Sequence, residues 1–515
     1  MRTRAILGAG TLVAAIGLIG TAGPATAAAP RPGTPAFAVE HARTAVHDRA
    51  ALFAAGSADT FATGEVLVDP GGASHVHLSR AYRGLPVLGG DVIAHLDPAG
   101  AVRAVTRTQP APLTLSATPA IGAAAATRAA AGALHGTGAA TPATLVVDAL
   151  AAKPVLVWRT AVTTAAGLQY ALVDARTGAI VDRWADEETV TGSGTGYNVG
   201  TVSLETTLSG STYQLKDPTR GNTYTVDMND RYLGAGTLFT DADNVWGTGA
   251  LSSRQTLAVD AQYGVAETWD FYLKTFGRSG IAGDGVGSYN RVHYGRGYDN
   301  ASWSDSCFCM TYGDGDGSTY GPFVALDVAG HEMTHGVTSR TAGLVYTGES
   351  GGLNEAMSDI MGTLVEFYSN NAGDPGDYLI GEKIALDGTP LRWMDDPSKD
   401  GHSAACWTST VKNLDVHYSS GVANHAFFLM AVGSGAHTVN GVSYSSPTCD
   451  GSTVTGIGNA AAGAIFYRAL TTYMTSGTTF SGARTATLSA AADLYGTSST
   501  QYSAVAAAWS AVAVS

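Results

Sequence analysis

The stretch VALDVAGHEMTHGVT, residues 324–338, predicts a helix with two histidines and a glutamate at informative positions. His331 and His335 are four residues apart, so both side chains project from one face of that helix. Two imidazoles at this spacing can bind one zinc ion, and Glu332 beside them can take a proton from an attacking water molecule. The stretch therefore predicts a zinc site with a general base next to it.

A second segment supplies a candidate for the third ligand. NEAMSD, residues 354–359, begins another predicted helix after a glycine-rich turn at 348–352. Glu355 lies 20 residues beyond His335, which is enough to turn the chain and bring a second helix alongside. Three protein ligands leave one position open, as a catalytic zinc requires. Asp359 shares a face with Glu355 and can accept a hydrogen bond from the outer nitrogen of a ligand histidine.

The alternative for Glu355 and Asp359 is a pair of helix carboxylates that face solvent. The sequence also excludes a second class of zinc protease, which has a third histidine six residues after the second one. In this chain Thr341 occupies that position. Thr338 occupies the position three residues after the second histidine, where that class has a glycine. The third ligand is therefore expected to be the distant Glu355.

Composition limits the classes of function. The 515 residues carry a formal net charge of -14, which argues against a nucleic-acid partner. Hydrophobic residues make up 45% of the chain, so a large core is expected. The acid is concentrated in residues 189–515, which contain 30 Asp and Glu against 15 Lys and Arg. Such an excess fits a solvated acidic surface or sites for hard cations.

The first residues resemble a signal peptide, which we assign to 1–27. Arg2 and Arg4 precede an apolar run from residue 5 to residue 20, and small residues follow at 25–29. An uncleaved membrane anchor is the alternative, but the run is short and ends before Gly23-Pro24. The sequence predicts export and no membrane association. The four cysteines of an exported chain are expected to form two disulfides, and of three pairings we favour Cys406–Cys449 with Cys307–Cys309.

Two regions follow the predicted signal peptide. Residues 28–189 alternate as strands in several places, have an Ala-rich helix near 121–135, and contain no metal-ligand or nucleophile constellation. A polar stretch at 186–196 reads as an exposed linker. Residues 190–330 are expected to be β-rich with one strong helix at 252–276, and residues 331–515 are expected to be α-helical. The fold class is therefore α+β.

Seven stretches in colinear order resemble the thermolysin family of secreted zinc metalloendopeptidases. They are VHYGRGYDNASW (292–303), YGDGDG (312–317), LDVAGHEMTHGVT (326–338), AGLVYTGESGGLNEAMSDIMGTLVEF (342–367), GDYLIGEKI (376–384), PLRWMDDP (390–397) and DVHYSSGVANHAFF (415–428). Residues 28–189 resemble the propeptide of that family, most clearly at YRGLPVLGGDVIAHLDPAG (82–100). The resemblance implies a two-lobed catalytic region, with a propeptide that acts as chaperone and inhibitor and is removed near Thr189–Thr191.

The resemblance also implies roles for individual residues. His331, His335 and Glu355 match the zinc ligands, and Glu332 matches the residue that activates water. Tyr346 and His417 match the pair that stabilises the oxyanion of the tetrahedral intermediate. The residues that would bind the substrate backbone are Asn300, Ala301 and Arg392, and an apolar pocket for the residue after the scissile bond would be lined by Phe323, Val328, Ile380, Ile384 and Leu391. Without the resemblance to this family, we would interpret His417 as a structural histidine and Arg392 as part of a surface ion pair.

One calcium ion is implied by an acidic group behind the zinc helix. The matching residues are Asp327, Glu366, Asp377, Leu379 through its carbonyl, and Glu382. This chain departs from thermolysin at Leu379, where that protein has a glutamate, so the second calcium of the pair is not expected. It also has Lys412 where the family often has an aspartate that orients the catalytic histidine. Asp415 is the candidate to replace it.

The sequence thus predicts a zinc- and calcium-dependent endopeptidase, secreted as an inactive precursor and monomeric. It is expected to cut protein and peptide substrates before large hydrophobic residues. The rivals are an exopeptidase on the same scaffold, a non-catalytic zinc-binding secreted protein, and a chain that acts chiefly as an inhibitor through its propeptide. No group that would capture a free substrate terminus is recognisable in the sequence, which disfavours the exopeptidase.

Overall fold

The computed structural model describes residues 30–136, 138–150, 153–164 and 167–515. The predicted signal peptide, and with it the predicted cleavage site, lies outside the described residues. The chain forms two compact units, one ending at Trp184 and the other spanning Ala185–Ser515. Among the helices of the described residues, none has the length and apolar character needed to cross a bilayer.

In the first unit, helices pack against a series of paired strands. Helix α1 presents Ala38, Ala42 and Ala45 at three- and four-residue steps to the strand residues Val76 and Leu78, which gives this unit one of its small cores. Its strands are paired in the order β5-β4-β2-β3-β6-β7-β8-β9, with β1 added beside β2. Its elements are α1 (Pro35–Asp48), β1 (Asp59–Val68), β2 (Ser74–Tyr82), β3 (Leu85–Leu88), β4 (Val92–Leu96), β5 (Val102–Arg107), α2 (Ala123–Ala133), β6 (Gly138–Asp148), β7 (Val155–Thr164), β8 (Gly167–Asp174) and β9 (Ile180–Ala185).

The second unit begins with strands and continues with helices, which confirms the predicted α+β organisation. The strands before the main helical part are β10 (Glu187–Thr195), β11 (Thr201–Ser209), β12 (Thr212–Gln214), β13 (Lys216–Asp217), β14 (Thr223–Arg231), β15 (Thr237–Leu238), β16 (Thr240–Asp241), β17 (Val245–Trp246), β18 (Tyr289–Tyr294), β19 (Ala301–Ser304) and β20 (Cys309–Tyr312). Later come β21 (Leu379–Ile380), β22 (Arg392–Trp393), β23 (Gly435–Val439) and β24 (Val442–Ser446). One sheet has the order β13-β14-β18-β20-β19, which leaves β19 at its edge.

The helices of the second unit enclose one large apolar core. They are α3 (Gln255–Phe276), α4 (Leu326–Ser339), α5 (Gly348–Ser369), α6 (Val416–Ser419), α7 (Gly421–Ala431), α8 (Asn459–Thr472), α9 (Phe480–Tyr495) and α10 (Thr500–Ala511). Helix α7, GVANHAFFLMA, is buried along its whole length, and its two polar side chains, Asn424 and His425, are hydrogen-bonded within the core. The predicted helix at 252–276 corresponds to α3.

Two predictions from local composition are wrong. The polar stretch at 186–196 is strand β10, paired with β11 from Glu187↔Ser209 to Thr195↔Thr201. The glycine-rich segment at 348–352 is the first turn of α5. A Cβ on Gly351 would lie 2.5 Å from Val416 Cγ1, so this glycine serves close packing within a helix. Local composition could not reveal either outcome, because β10 depends on pairing with the next strand and Gly351 packs against Val416.

Helices α4 and α5 approach each other at two glycines. A Cβ on Gly330 of α4 would lie 2.8 Å from the Cα of Gly362 on α5, closer than real Cβ atoms come to backbone. The absence of both side chains lets the two backbones meet. This close crossing places the histidines of α4 opposite the carboxylates of α5.

The favoured disulfide pairing is the one in the structure. Cys307 is joined to Cys309 and Cys406 to Cys449.

Candidate metal centre and its cleft

Three side chains from α4 and α5 converge on one point. Glu355 Oε2 lies 3.5 Å from His331 Nε2, and Glu355 Oε1 lies 3.3 Å from His335 Nε2. One potential ligand atom from each of the three residues falls within 4.8 Å of the others. Glu355 is fully buried, and no described residue hydrogen-bonds its Oε2. The two oxygens of this buried carboxylate each lie near one imidazole nitrogen. A cation fits between these groups, because Oε2 is otherwise costly to bury without a partner.

Each histidine is held by a second residue of α5. Asp359 Oδ1 lies 2.8 Å from Nδ1 of His331, in the position expected from the sequence. Asn354 Oδ1 lies 2.7 Å from Nδ1 of His335, and its amide group donates to the carbonyl of Leu344, which fixes which way the amide faces. Both contacts direct Nε2 of each ring toward Glu355. Sequence reasoning missed Asn354, although its place beside Glu355 was a usable signal.

Glu332 is buried beside this cluster. Burial raises the pKa of its carboxyl, while the nearby His331 and His335 act in the opposite direction. The backbone of Trp303 on β19 also acts to lower this pKa. A carboxylate whose pKa is raised in this way is a stronger base than a solvated one.

Tyr346 and His417 lie on the open side of the cluster. The Tyr346 hydroxyl donates to Glu355 and lies 3.4 Å from Nε2 of His417. The His417 ring is held at Nδ1 by Asp415 Oδ1, at 2.7 Å, and the same oxygen accepts the backbone N–H of His417 at 3.0 Å. Asp415 thus makes the contact for which it was the candidate. His417 and Tyr346 remain about half exposed, so both can reach a bound molecule.

One cavity of about 480 Å³ is lined by every residue predicted to bind zinc, to act in catalysis or to contact the substrate. Arg392 lies in its wall and forms a two-pronged ion pair with Asp359, with nitrogen–oxygen distances of 2.6 and 2.8 Å. Asp359 therefore links a metal-site histidine to the arginine of the cleft. The apolar part of the wall is formed by Phe323, Val328, Ile380, Ile384 and Leu391. The structure brings these residues together, and their individual roles remain predictions.

A second carboxylate cluster lies at the start of α4. Oxygens of Asp327, Glu366 and Glu382 fall within 4.8 Å of one another. Burial, with the neighbouring carboxylates, raises the pKa of Asp327 to about 6 and that of Glu382 to about 10. Within the described part of the chain, Glu366 Oε1 and Glu382 Oε2 have no hydrogen-bond partner. Facing buried carboxylates of this kind fit an oxygen-liganded cation such as calcium.

The other predicted members of this cluster lie next to it. The backbone N–H of Asp377 donates to Glu366 Oε2, and the backbone N–H of Leu379 donates to Asp377. The fully buried Asp374, which sequence reasoning missed, also interacts electrostatically with Glu366 and Glu382. A usable signal was the spacing of Asp374 and Asp377 in AGDPGD (372–377).

Two family models match adjoining segments of the second unit. Residues 191–339 match the thermolysin metallopeptidase catalytic domain, and residues 342–514 match the thermolysin metallopeptidase alpha-helical domain. The chain belongs to the thermolysin family. Residues 59–108 match the fungalysin/thermolysin propeptide motif, so the first unit carries the propeptide motif of the same family.

Relatives with curated names support this membership. A transglutaminase-activating metalloprotease of Streptomyces mobaraensis is 48% identical over 475 residues, which are 89% of this chain and 61% of that protein. A thermolysin of Alicyclobacillus acidocaldarius subsp. acidocaldarius is 42% identical over 366 residues, which are 67% of this chain and 63% of that protein. The alignments thus span about six-tenths of these relatives' lengths. Among solved structures, the precursor of protealysin, a metalloproteinase from Serratia proteamaculans, matches 57% of this chain and 87% of its own at 27% identity, with a TM-score of 0.44.

Proposed function

We propose that this protein is a zinc-dependent endopeptidase that is secreted as a zymogen. The observation that carries the proposal is the convergence of His331, His335 and Glu355 beside a buried Glu332 in an open cavity. Three protein ligands leave a coordination position free, as in catalytic zinc sites. The relatives named thermolysin and metalloprotease support the same reaction class.

Zinc bound by His331, His335 and Glu355 would supply a Lewis acid for the scissile carbonyl and lower the pKa of water. The residues of this chain perform the remaining steps. Glu332 takes the proton from the attacking water and then delivers it to the departing amine. Tyr346 and His417 donate hydrogen bonds to the oxyanion as charge develops on the carbonyl oxygen.

Substrate selection follows from the cavity wall. The apolar side chains opposite the metal cluster favour Leu, Phe, Ile or Val after the scissile bond. One methylene changes binding by only about 1–3 kcal/mol, so the preference is expected to be broad. Arg392 binds the carbonyl of the same substrate residue; its two hydrogen bonds to Asp359, which orient the guanidinium, support this role.

The direct test is digestion of an unstructured protein by the mature form. The reaction is run with and without a zinc-selective chelator, and the cut sites are identified by mass spectrometry. Calcium is kept in excess, so that loss of activity reports zinc alone. We expect chelator-sensitive internal cuts before Leu, Phe, Ile or Val. Release of single terminal residues would indicate an exopeptidase, and no cleavage by a zinc-loaded chain would favour the non-catalytic binding protein.

We also propose that Asp327, Glu366, Asp377 and Glu382, with the carbonyl of Leu379, bind one calcium ion. The mutual repulsion of buried carboxylates supports this assignment, because a divalent cation would relieve it. Removal of calcium should lower the thermal midpoint, and added calcium should restore it. Glu382→Gln should reduce the response to calcium, whereas Glu205→Gln, at a carboxylate of β11 outside the cluster, should leave it unchanged.

The proposed maturation removes residues 28–189 and yields a monomer that begins near Val190. The propeptide motif at 59–108 supports the zymogen. The relatives' names support a protease, and the resemblance of residues 1–27 to a signal peptide supports its export. N-terminal sequencing of the secreted mature product tests the maturation bond, and the same measurement on the secreted precursor tests the signal peptide.

A further inference from the structure

The hairpin formed by β19 and β20 lies along the cleft, and its two ends are held by different contacts. At the Ala301 end, Ala301 pairs with Tyr312 of β20, and the N–H of Gly313 donates to the carbonyl of Asn300 at 3.0 Å. The other end turns through residues 305–308 before β20 begins at Cys309. β19 is the edge strand of its sheet, and no strand of the described residues pairs with its outer side, which can therefore pair with an extended peptide.

The turning end is fastened to the last residues of α4 by one carboxylate. Asp305 Oδ1 accepts hydrogen bonds from the Trp303 indole N–H at 2.9 Å, from the Ser339 hydroxyl at 3.1 Å and from Arg340 Nη1 at 2.5 Å. Ser339 and Arg340 directly follow the turn of α4 that carries His335. A single side chain thus joins the edge strand to the end of the helix that bears the metal ligands.

Aromatic packing reinforces this junction. The Arg340 guanidinium lies 5.2 Å from the centre of the Phe308 ring, and Phe308 meets Trp303 edge to face at 5.2 Å. Phe308 has a φ of 53° and stands between the two cysteines of the Cys307–Cys309 disulfide. The covalent ring therefore holds Phe308 in a backbone conformation that non-glycine residues seldom adopt.

Trp303 connects the junction to the reacting groups. Its indole packs on Gly336, the residue that follows His335, where a Cβ would lie 2.8 Å from Trp303 Cε2. Trp303 and Asp305 line the same cavity as His331 and Glu332. Asp305 thus contacts a residue that packs on the metal-ligand helix and lines the cavity beside the base, although Asp305 has no hydrogen bond to the base itself.

We propose that Asp305 is a positioning residue for extended substrates, and that its bonds to Trp303, Ser339 and Arg340 fix the turning end of β19 beside Glu332. The inference rests on the proposed endopeptidase function. A peptide that pairs along the whole strand gains from a strand already fixed in place, because less freedom is lost on binding. A short substrate that reaches only the Ala301 end does not depend on this junction.

The test compares two substrates that share one scissile bond, a blocked dipeptide and a hexapeptide extended on both sides. Asp305→Asn should lower kcat/KM for the hexapeptide about tenfold and leave that for the dipeptide within twofold. Zinc content and thermal midpoint should not change, because a largely exposed ion pair contributes little to folding. Asp493→Asn is the matched control, since Asp493 pairs with Arg468 at 3.0 Å at comparable exposure in α9. This control should not change the ratio of the two kcat/KM values.

A double-mutant cycle that combines Asp305→Asn with Arg340→Gln tests whether the two side chains act through their mutual contact or independently. If the two residues act through one junction, the double variant should lose no more hexapeptide activity than the worse single variant. Equal losses on both substrates, an unchanged ratio, or additive losses would each overturn the proposal. A mature, zinc-loaded wild-type protein that cleaves neither substrate would refute the endopeptidase function itself, and this inference with it.

Discussion

At the scale of single residues, the sequence was most informative where chemistry demands a fixed spacing. The four-residue step between His331 and His335 and the carboxylate of Glu355 predicted three side chains that do converge. The partners that hold them were harder to predict, because Asn354 and Asp374 have no motif of their own. Their importance comes from burial beside other polar groups, which depends on the fold.

Glu332→Gln tests the assigned base. The amide keeps the shape of the side chain but cannot accept the proton of the attacking water, so turnover should fall about 10²–10⁴-fold. The zinc content should stay at the wild-type level, because the proposed ligands are unchanged. Peptide cleavage and elemental analysis on the same preparation measure both quantities. Near-normal turnover would refute the assignment of Glu332.

Asp415→Asn tests how His417 is oriented. An amide holds Nδ1 of His417 less strongly than a carboxylate does, so kcat should fall about tenfold with little change in KM. Asp314→Asn is a suitable control, since Asp314 forms a similar 2.8 Å contact with Nδ1 of His293, which is not among the residues that line the cavity. Equal effects of the two substitutions would show that the loss is not specific to His417.

At the scale of elements, periodicity predicted the helices well and composition predicted the linker badly. Residues 252–276 and 324–338 repeat apolar positions at three- and four-residue steps, and α3 and α4 lie within or beside these bounds. The stretch at 186–196 has the polar residues of a linker, yet β11 supplies a partner for its whole length. Strand pairing between separate segments is not encoded in either segment alone.

Helix α3 also holds the chain that follows β10. Asp260 is almost fully buried and accepts the backbone N–H groups of Tyr197, Asn198 and Val199. Burial raises the pKa of its carboxyl to about 6, although the three N–H groups act in the opposite direction. The folded-state pKa therefore lies above the value of 3.8 of an unburied aspartate. The stabilisation from this group is complete below pH 4 and is lost as the pH rises through 6.

Asp260→Asn should remove that pH dependence. With calcium in excess, the thermal midpoint of the wild type should fall relative to that of the variant between pH 4 and pH 7. Over this pH range the wild type should lose about 3 kcal/mol of folding free energy relative to the variant. Asp450→Asn, at an exposed aspartate, should show no such relative change. A constant difference between wild type and Asp260→Asn over this range would contradict the assigned pKa.

At the scale of the whole molecule, the uneven charge of the chain has a structural counterpart. The excess acid of residues 189–515 includes the buried carboxylates around Asp327, while the first unit is nearly neutral. The change in charge indicated two regions with a boundary near residue 189, and the structure divides the chain after Trp184. The sequence could not supply the depth of burial of the acidic cluster, because that depends on how α4, α5 and the segment at 374–382 pack together.

Maturation offers a test on the full chain. Val190 is the first apolar residue after Ala185, and it follows the exposed Thr189, so the Thr189–Val190 bond suits the proposed specificity. We expect full-length Glu332→Gln to remain uncut at this bond and to be cut when active mature enzyme is added. Intact mass spectrometry distinguishes the forms. Cutting of the inactive chain alone at the wild-type rate would assign maturation to another protease.

The meeting of Gly330 and Gly362 makes metal affinity a property of backbone spacing as well as of ligand identity. A single methyl group added at Gly330 must push α4 away from α5, since it would come within 2.8 Å of backbone. The substitution would leave His331, His335 and Glu355 in the sequence but would change the distances between them. The centre could therefore be weakened in graded steps by enlarging residues that never touch the ion, which offers a route to a protease whose activity follows the concentration of free zinc.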